Sequence, residues 1–175
     1  YDPSLRPLLV RAFARGGLSG SARGLLSDHL EGRSSLGPEQ WDIIAYYSDY
    51  SGDLSILEYT LLDHEGDDVP AKVFLPVVRY QGAAGLTPWR NRIRPSDLDA
   101  LPMLDAARNL LMQRPDVAAA RLTDAARQAQ TMSARDKSLW LSLADSLSGS
   151  GQLQQLRAMA NSDPDLARLF RGPDD

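Results

Sequence analysis

The stretch Trp41-Asp42-Ile43-Ile44-Ala45, running on to Gly52-Asp53-Leu54-Ser55-Ile56-Leu57, decides how the chain is read, because its skeleton returns later. In Trp140-Leu141-Ser142-Leu143-Ala144 and Gly151-Gln152-Leu153-Gln154-Gln155-Leu156 the tryptophan, the aliphatic residue with its alanine, the glycine and two leucines stand at the same intervals. Apolar residues at helical spacing, a glycine break and a second apolar run that begins with Leu spell a helix-turn-helix unit used more than once. One such hairpin cannot bury both of its faces, so each unit completes its core against a neighbour. The tryptophans are accordingly expected in the core.

Working outward, the same layout precedes and follows these two units. Leu5, Leu8, Leu9, Ala12 and Phe13 lead to Gly16-Gly17-Leu18, and Ala22, Leu25, Leu26 and Leu30 resume the pattern. Leu104, Ala107, Leu110 and Leu111 form another first helix, broken at Arg114-Pro115-Asp116 and followed by an alanine-rich second helix from Val117 to Met132. Leu5 precedes Trp41 by the same step as Leu104 precedes Trp140. Between them lies Val73-Phe74-Leu75-Pro76-Val77-Val78, whose β-branched residues suit a strand. Pro76 confines such a strand to a sheet edge or else kinks a helix. The register of the repeat favours a distorted helical pair.

These steps predict an all-α chain, a right-handed α-solenoid of about five helix-turn-helix repeats. The units lie near 2–37, 38–69, 70–100, 101–136 and 137–163, with a terminal helix at 164–171 begun by Asp163-Pro164 and a polar tail from Arg171 to Asp175. An α+β fold is the alternative. The pattern resembles the tetratricopeptide repeat, carried best by Trp41-x2-Ile44-Ala45 with Gly52-Asp53 and by Trp140-x2-Leu143-Ala144 with Gly151. Leu57 and Leu156 stand where that family usually has alanine, and Pro76 interrupts a helix the family keeps straight.

The resemblance implies a binding scaffold whose first helices line a concave face. Candidate contact residues are Glu39, Asp42, Tyr46, Asp49 and Tyr50 in the second unit, with Asp105, Asn109, Met112, Gln113, Asp145 and Ser148 further on; Glu39, Asp42, Tyr46, Asp49, Tyr50, Asn109 and Asp145 are the principal set. Tyrosine gives a large contact with little entropy to lose, which suits a protein or peptide partner, or a polysaccharide. The bland alternative packs Tyr46 and Tyr50 against an adjacent helix. A second candidate surface is the basic patch Arg79, Arg90, Arg92 and Arg94 around Trp89, which would take a polyanion.

Composition narrows the remaining classes. A net charge of −4 disfavours nucleic acid as the main partner, and the lack of cysteine removes thiolate catalysis and thiolate metal sites. The two histidines, His29 and His64, have no metal-binding spacing, and the acidic turn Asp63 to Asp68 lacks the alternating ligands of a calcium loop. No nucleophile elbow, phosphate loop or dinucleotide fingerprint is present. No cofactor, metal or catalytic residue is therefore expected, and no membrane span.

The chain reads as a piece of a longer protein, since it opens on Tyr1. Its expected role is a non-catalytic scaffold or adaptor in a multiprotein bacterial assembly for envelope secretion or exopolysaccharide export, in the periplasm rather than the cytoplasm. The alternatives are a helical accessory domain of a larger enzyme and a polyanion-binding module using the arginine patch.

Overall fold

The computed structural model describes residues 2–173, so Tyr1, Asp174 and Asp175, the last two in the predicted polar tail, lie outside the described residues. Every regular element among those described is helical. The α-helices are α1 (Arg6–Arg15), α2 (Ser19–Leu30), α3 (Pro38–Ser51), α4 (Ser55–Asp63), α5 (Leu75–Gln81), α6 (Pro102–Leu111), α7 (Pro115–Ala126), α8 (Ala134–Asp145), α9 (Gln152–Met159) and α10 (Pro164–Arg171). Tighter 3-10 turns occupy Pro3–Leu5, Ala71–Phe74, Ala83–Arg92 and Pro95–Ala100.

Proline sets many of these starts. It stands in the first or second position of α1, α3, α6, α7 and α10, where its missing N–H would have had no helical partner and its fixed φ already suits a helix. Asp163 completes the start of α10 by accepting from the backbone N–H groups of Asp165 and Leu166. The same logic resolves the segment with mixed signals. Ala71–Phe74 is a 3-10 turn that runs into α5, and Pro76 falls at its second residue, so Val73 to Val78 is helical and mostly buried. Beyond it, Gly82 at φ +74° and Pro88 prevent a regular α-helix, and the chain winds as 3-10 turns from Ala83 to Arg92.

The chain divides into two compact units, Tyr1–Tyr80 and Gln81–Asp175. In the first, α1 and α2 form a hairpin against which α3 packs, and α4 and the Ala71–Phe74 turn pack in turn on α3. Val10, Ala22, Leu26, Trp41, Ile44, Leu57, Leu61 and Phe74 fill this core. Gly52 ends α3 at φ +75°, a left-handed conformation that asks for glycine, and a Cβ there would rest in ordinary contact with the Tyr80 ring.

In the second unit α6 and α7 form the hairpin, α8 packs on both, α9 packs on α7, and α10 contacts α7, α8 and α9. Ala106, Ala107, Ala118, Ala119, Ala125 and Ala126 are buried, and their small side chains let helix axes approach closely. Trp41 and Trp140 are each 0% exposed. Their surroundings differ: the Trp140 indole N–H donates to the Leu122 carbonyl at 2.9 Å and its ring meets Phe170 edge-on at 5.1 Å, whereas Trp41 meets His64 edge-on at 6.5 Å.

Candidate functional site

Helix α3 turns Trp41, Ile43, Ile44, Tyr47 and Ser48 into the core and leaves Glu39, Asp42, Tyr46, Asp49 and Tyr50 on its other face. Tyr46 and Tyr50 are one turn apart, so their rings stack at 4.6 Å between centroids with a 33° tilt. Tyr50 keeps 38% of its surface exposed and Tyr46 is half-buried. On one flank, the Arg11 guanidinium of α1 lies 5.9 Å from the Tyr46 ring centroid, within reach of its negative face.

The opposite flank is built from residues about thirty positions downstream. Lys72 pairs with Asp42 at 2.5 Å, and Arg79 donates to Asp49 at 2.7 Å. The Tyr80 hydroxyl donates to the Asp49 backbone carbonyl. Two of the acids that make this helix look anionic are thus neutralised within the unit, while Glu39 stays exposed in the first turn. The surface is an aromatic platform between paired charges rather than an acidic face.

The other predicted contact residues belong to the second unit. Asn109, on α6, is 5% exposed, and its amide N–H groups donate to the Asp105 backbone carbonyl at 2.8 Å and to Asp105 Oδ1 at 3.0 Å. Asp105 also accepts from Arg121 at 2.8 Å, and Arg121 reaches Asp124 and the carbonyls of Leu98 and Asp99. Asn109 and Asp105 therefore belong to a knot that ties α6 to α7 and to the Pro95–Ala100 turn. Asp145, the last residue of α8, is exposed, as are Met112, Gln113 and Ser148.

The four arginines of the basic patch divide between the units: Arg79 lies on α5 in the first and Arg90, Arg92 and Arg94 in the second. Arg79 is held by Asp49, and Arg94 by Asp97 at 2.8 Å. Arg92 is half-buried and Arg90 exposed. Trp89 is 7% exposed, which withdraws the aromatic face that a stacking site for bases would need.

A second polar centre in the first unit escaped the sequence reading. Asp53 accepts from Arg23 of α2, from the Tyr47 hydroxyl at 2.6 Å, and from the Ser55 hydroxyl and N–H at 2.6 and 3.0 Å. Burial raises the carboxyl's pKa, yet the bonds from Ser55, Tyr47 and Arg23 outweigh it and hold the value at about 2. The Tyr47 phenol is pushed up by burial and by Asp53, and the Arg23 guanidinium by its bond to Asp53. The only sequence signal was Gly52-Asp53 followed by Ser55, a turn that starts a helix. Its partners come from two other helices, so the joint belongs to the fold rather than to a substrate.

Among the described residues no group of three His, Cys, Asp or Glu side chains is arranged to hold a metal ion, and no helix is long and apolar enough to cross a membrane. No protein-family model matches the chain, and neither a curated protein nor a solved structure matches it.

Proposed function

We propose that the chain is a helical-repeat scaffold that grips a protein or peptide partner on the α3 face of its first unit. The hairpins are read as tetratricopeptide-like repeats of a right-handed solenoid. That reading is supported by first helices packing on first helices inside each unit, α1 with α3 and α6 with α8, as neighbour-on-neighbour stacking requires. The resemblance alone suggests the setting, a bacterial envelope assembly for secretion or exopolysaccharide export.

The observation that carries the binding reading is the Tyr46 and Tyr50 pair, two rings stacked on one helix, the first half-buried and the second exposed. Such rings give a partner contact area and a hydroxyl handle without first having to be ordered. The flanking pairs Asp42 with Lys72 and Asp49 with Arg79 supply both signs of charge, which a polypeptide backbone and mixed side chains can meet. A polyanion would meet Arg79 and Arg94 already engaged by Asp49 and Asp97.

Affinity capture from the source cell tests this with three baits: the wild type, Tyr46→Ala/Tyr50→Ala and Arg90→Glu/Arg92→Glu. The expected outcome is a partner retained by the wild type and the arginine variant and lost by the tyrosine variant. Retention by a tyrosine variant whose helical circular-dichroism spectrum is unchanged overturns the assignment, and loss in the arginine variant alone moves the site to the basic patch.

A further inference from the structure

A second surface of the first unit, separate from the α3 face, has the make-up of a docking groove. Between α2 and α4 runs an open cleft of about 510 Å³. Leu30, Ile56 and Thr60 line it; Ile56 is 7% exposed, and the Thr60 hydroxyl is turned back to the Ile56 carbonyl at 2.6 Å. Tyr59 stands on the wall with 68% of its surface in solvent. The rim carries Asp28, Glu31 and Asp63 against the single guanidinium of Arg33, whose Nε donates to the His29 carbonyl at 2.9 Å.

The position of those carboxylates is what folding alone does not account for. Asp28 lies in the last turn of α2, Glu31 caps its C-terminus, and Asp63 is the last residue of α4. A helix C-terminus already carries partial negative charge, and an acid placed there destabilises it. Both helices therefore place acids at their C-terminal ends beside the same cleft, and α2 has arginines donating to its last carbonyls. At the end of α2 the Arg6 and Arg33 side chains donate to the Asp28 and His29 carbonyls, whereas Asp63 at the end of α4 is 59% exposed, with the His64 ring 3.6 Å away. The three carboxylates outnumber the Arg33 guanidinium along the rim and leave it negative beside a lining that is partly apolar.

We infer that the α2/α4 groove docks a cationic amphipathic segment of a partner protein, whose aliphatic side chains lie on Leu30, Ile56 and Tyr59 while its Lys or Arg side chains meet Asp28, Glu31 and Asp63. Charge complementarity selects this occupant. The excess of carboxylates opposes nucleic acid and acidic polysaccharide, and Leu30, Ile56 and the exposed Tyr59 give apolar area that a small polyamine could not cover. The inference stands apart from the α3 face and needs neither Tyr46 nor Tyr50.

The carboxylates' position gives the test two readouts that move in opposite directions. The probe is a fluorescent amidated peptide of about four helical turns with leucine on one face and lysine on the other. The competitors are the same peptide with glutamate for lysine, and spermine. Binding by anisotropy is compared among the wild type, Asp28→Asn/Glu31→Gln/Asp63→Asn, Tyr59→Ala, and a control with equal charge change elsewhere, Glu65→Gln/Asp99→Asn/Asp116→Asn.

The expected result is saturable binding of the lysine peptide that weakens about tenfold in the groove variant and in Tyr59→Ala, and by less than about twofold in the control. The groove variant's melting temperature is expected at or above that of the wild type, because helix-end repulsion has been removed. Absence of binding, equal weakening in the control, equal competition by the glutamate peptide, or full displacement by an equal charge concentration of spermine overturns the inference. So does a dimer, seen by sedimentation, that Tyr59→Ala dissolves, since the groove would then belong to a second copy of this chain. Because Tyr46 and Tyr50 are intact in every groove variant, failure here leaves the α3 reading standing, and the reverse holds.

Discussion

Replacing each tryptophan in turn separates its packing from its polar contact. Trp41 and Trp140 are both fully withdrawn from water, so cutting either to alanine removes a large buried side chain at about 3 to 5 kcal/mol. For a unit of this size that is much of the total stability, so the softer substitution to phenylalanine is the more informative. In Trp140→Phe the ring is partly replaced, but the 2.9 Å bond to the Leu122 carbonyl is lost, which adds about 1 kcal/mol. The Trp41 indole N–H meets no acceptor among the described residues, so Trp41→Phe carries no such penalty.

Urea unfolding followed by circular dichroism at the helical band should rank the wild type above Trp41→Phe and Trp41→Phe above Trp140→Phe. The last gap corresponds to about 4 to 8 °C in melting temperature for a unit of this size. An unchanged midpoint in Trp41→Ala would refute the core assignment. Equal midpoints in the two phenylalanine variants would refute the part given to the Leu122 bond.

Other consequences concern charge and backbone. The folded Asp53 carboxyl, at about 2, gives up its proton more readily than the unfolded one, so the stability it adds is complete above about pH 4 and is lost as pH falls toward 2. Solvent screening leaves about 1 kcal/mol of it, and Asp53→Asn should flatten acid denaturation over that window by this amount. His29 runs the same way near neutrality: burial first, then Arg33, lowers its pKa, so its protonation below about pH 6.5 opposes the fold, and His29→Gln should lessen the loss of melting temperature on mild acidification. Gln113 follows α6 at φ +58°, a conformation that strains a side-chain-bearing residue, so Gln113→Gly should raise stability by about 0.5 to 1 kcal/mol in thermal unfolding.

What could be read from the residues was whatever is enforced locally. The paired Trp and Gly spacings correspond to two buried indoles and two left-handed glycines, but the glycines differ in place: Gly52 ends α3, whereas Gly151 precedes α9 after α8 has already ended at Asp145. Pro38 and Pro164 mark helix starts for a local reason, and Pro115, read as part of a break, is itself the first residue of α7. The segment around Pro76 needs the repeat's register to decide it, since its own residues suit either state.

The surfaces were harder, because their character comes from partners distant in the chain. Asp42 and Asp49 read as an acidic face until Lys72 and Arg79 fold back onto them. Asn109 read as an outward polar residue, yet Arg121 draws Asp105 into a knot that takes Asn109 with it. Trp89 reads as a stacking ring among arginines, but the 3-10 path of Ala83–Arg92 leaves it buried. The α2/α4 groove lies between second helices, a face to which no sequence pattern points.

The α3 assignment is tested most directly by covalent capture at the platform itself. A photo-crosslinking benzoylphenylalanine at position 50, where the native ring is already partly in solvent, is compared with one at position 138, an exposed site on α8. Irradiation in the source cell should give one discrete adduct at position 50, abolished by Tyr46→Ala, and none at position 138. An adduct at 138 with none at 50, or one at 50 that is indifferent to Tyr46, would contradict a scaffold that holds its partner on the stacked tyrosines.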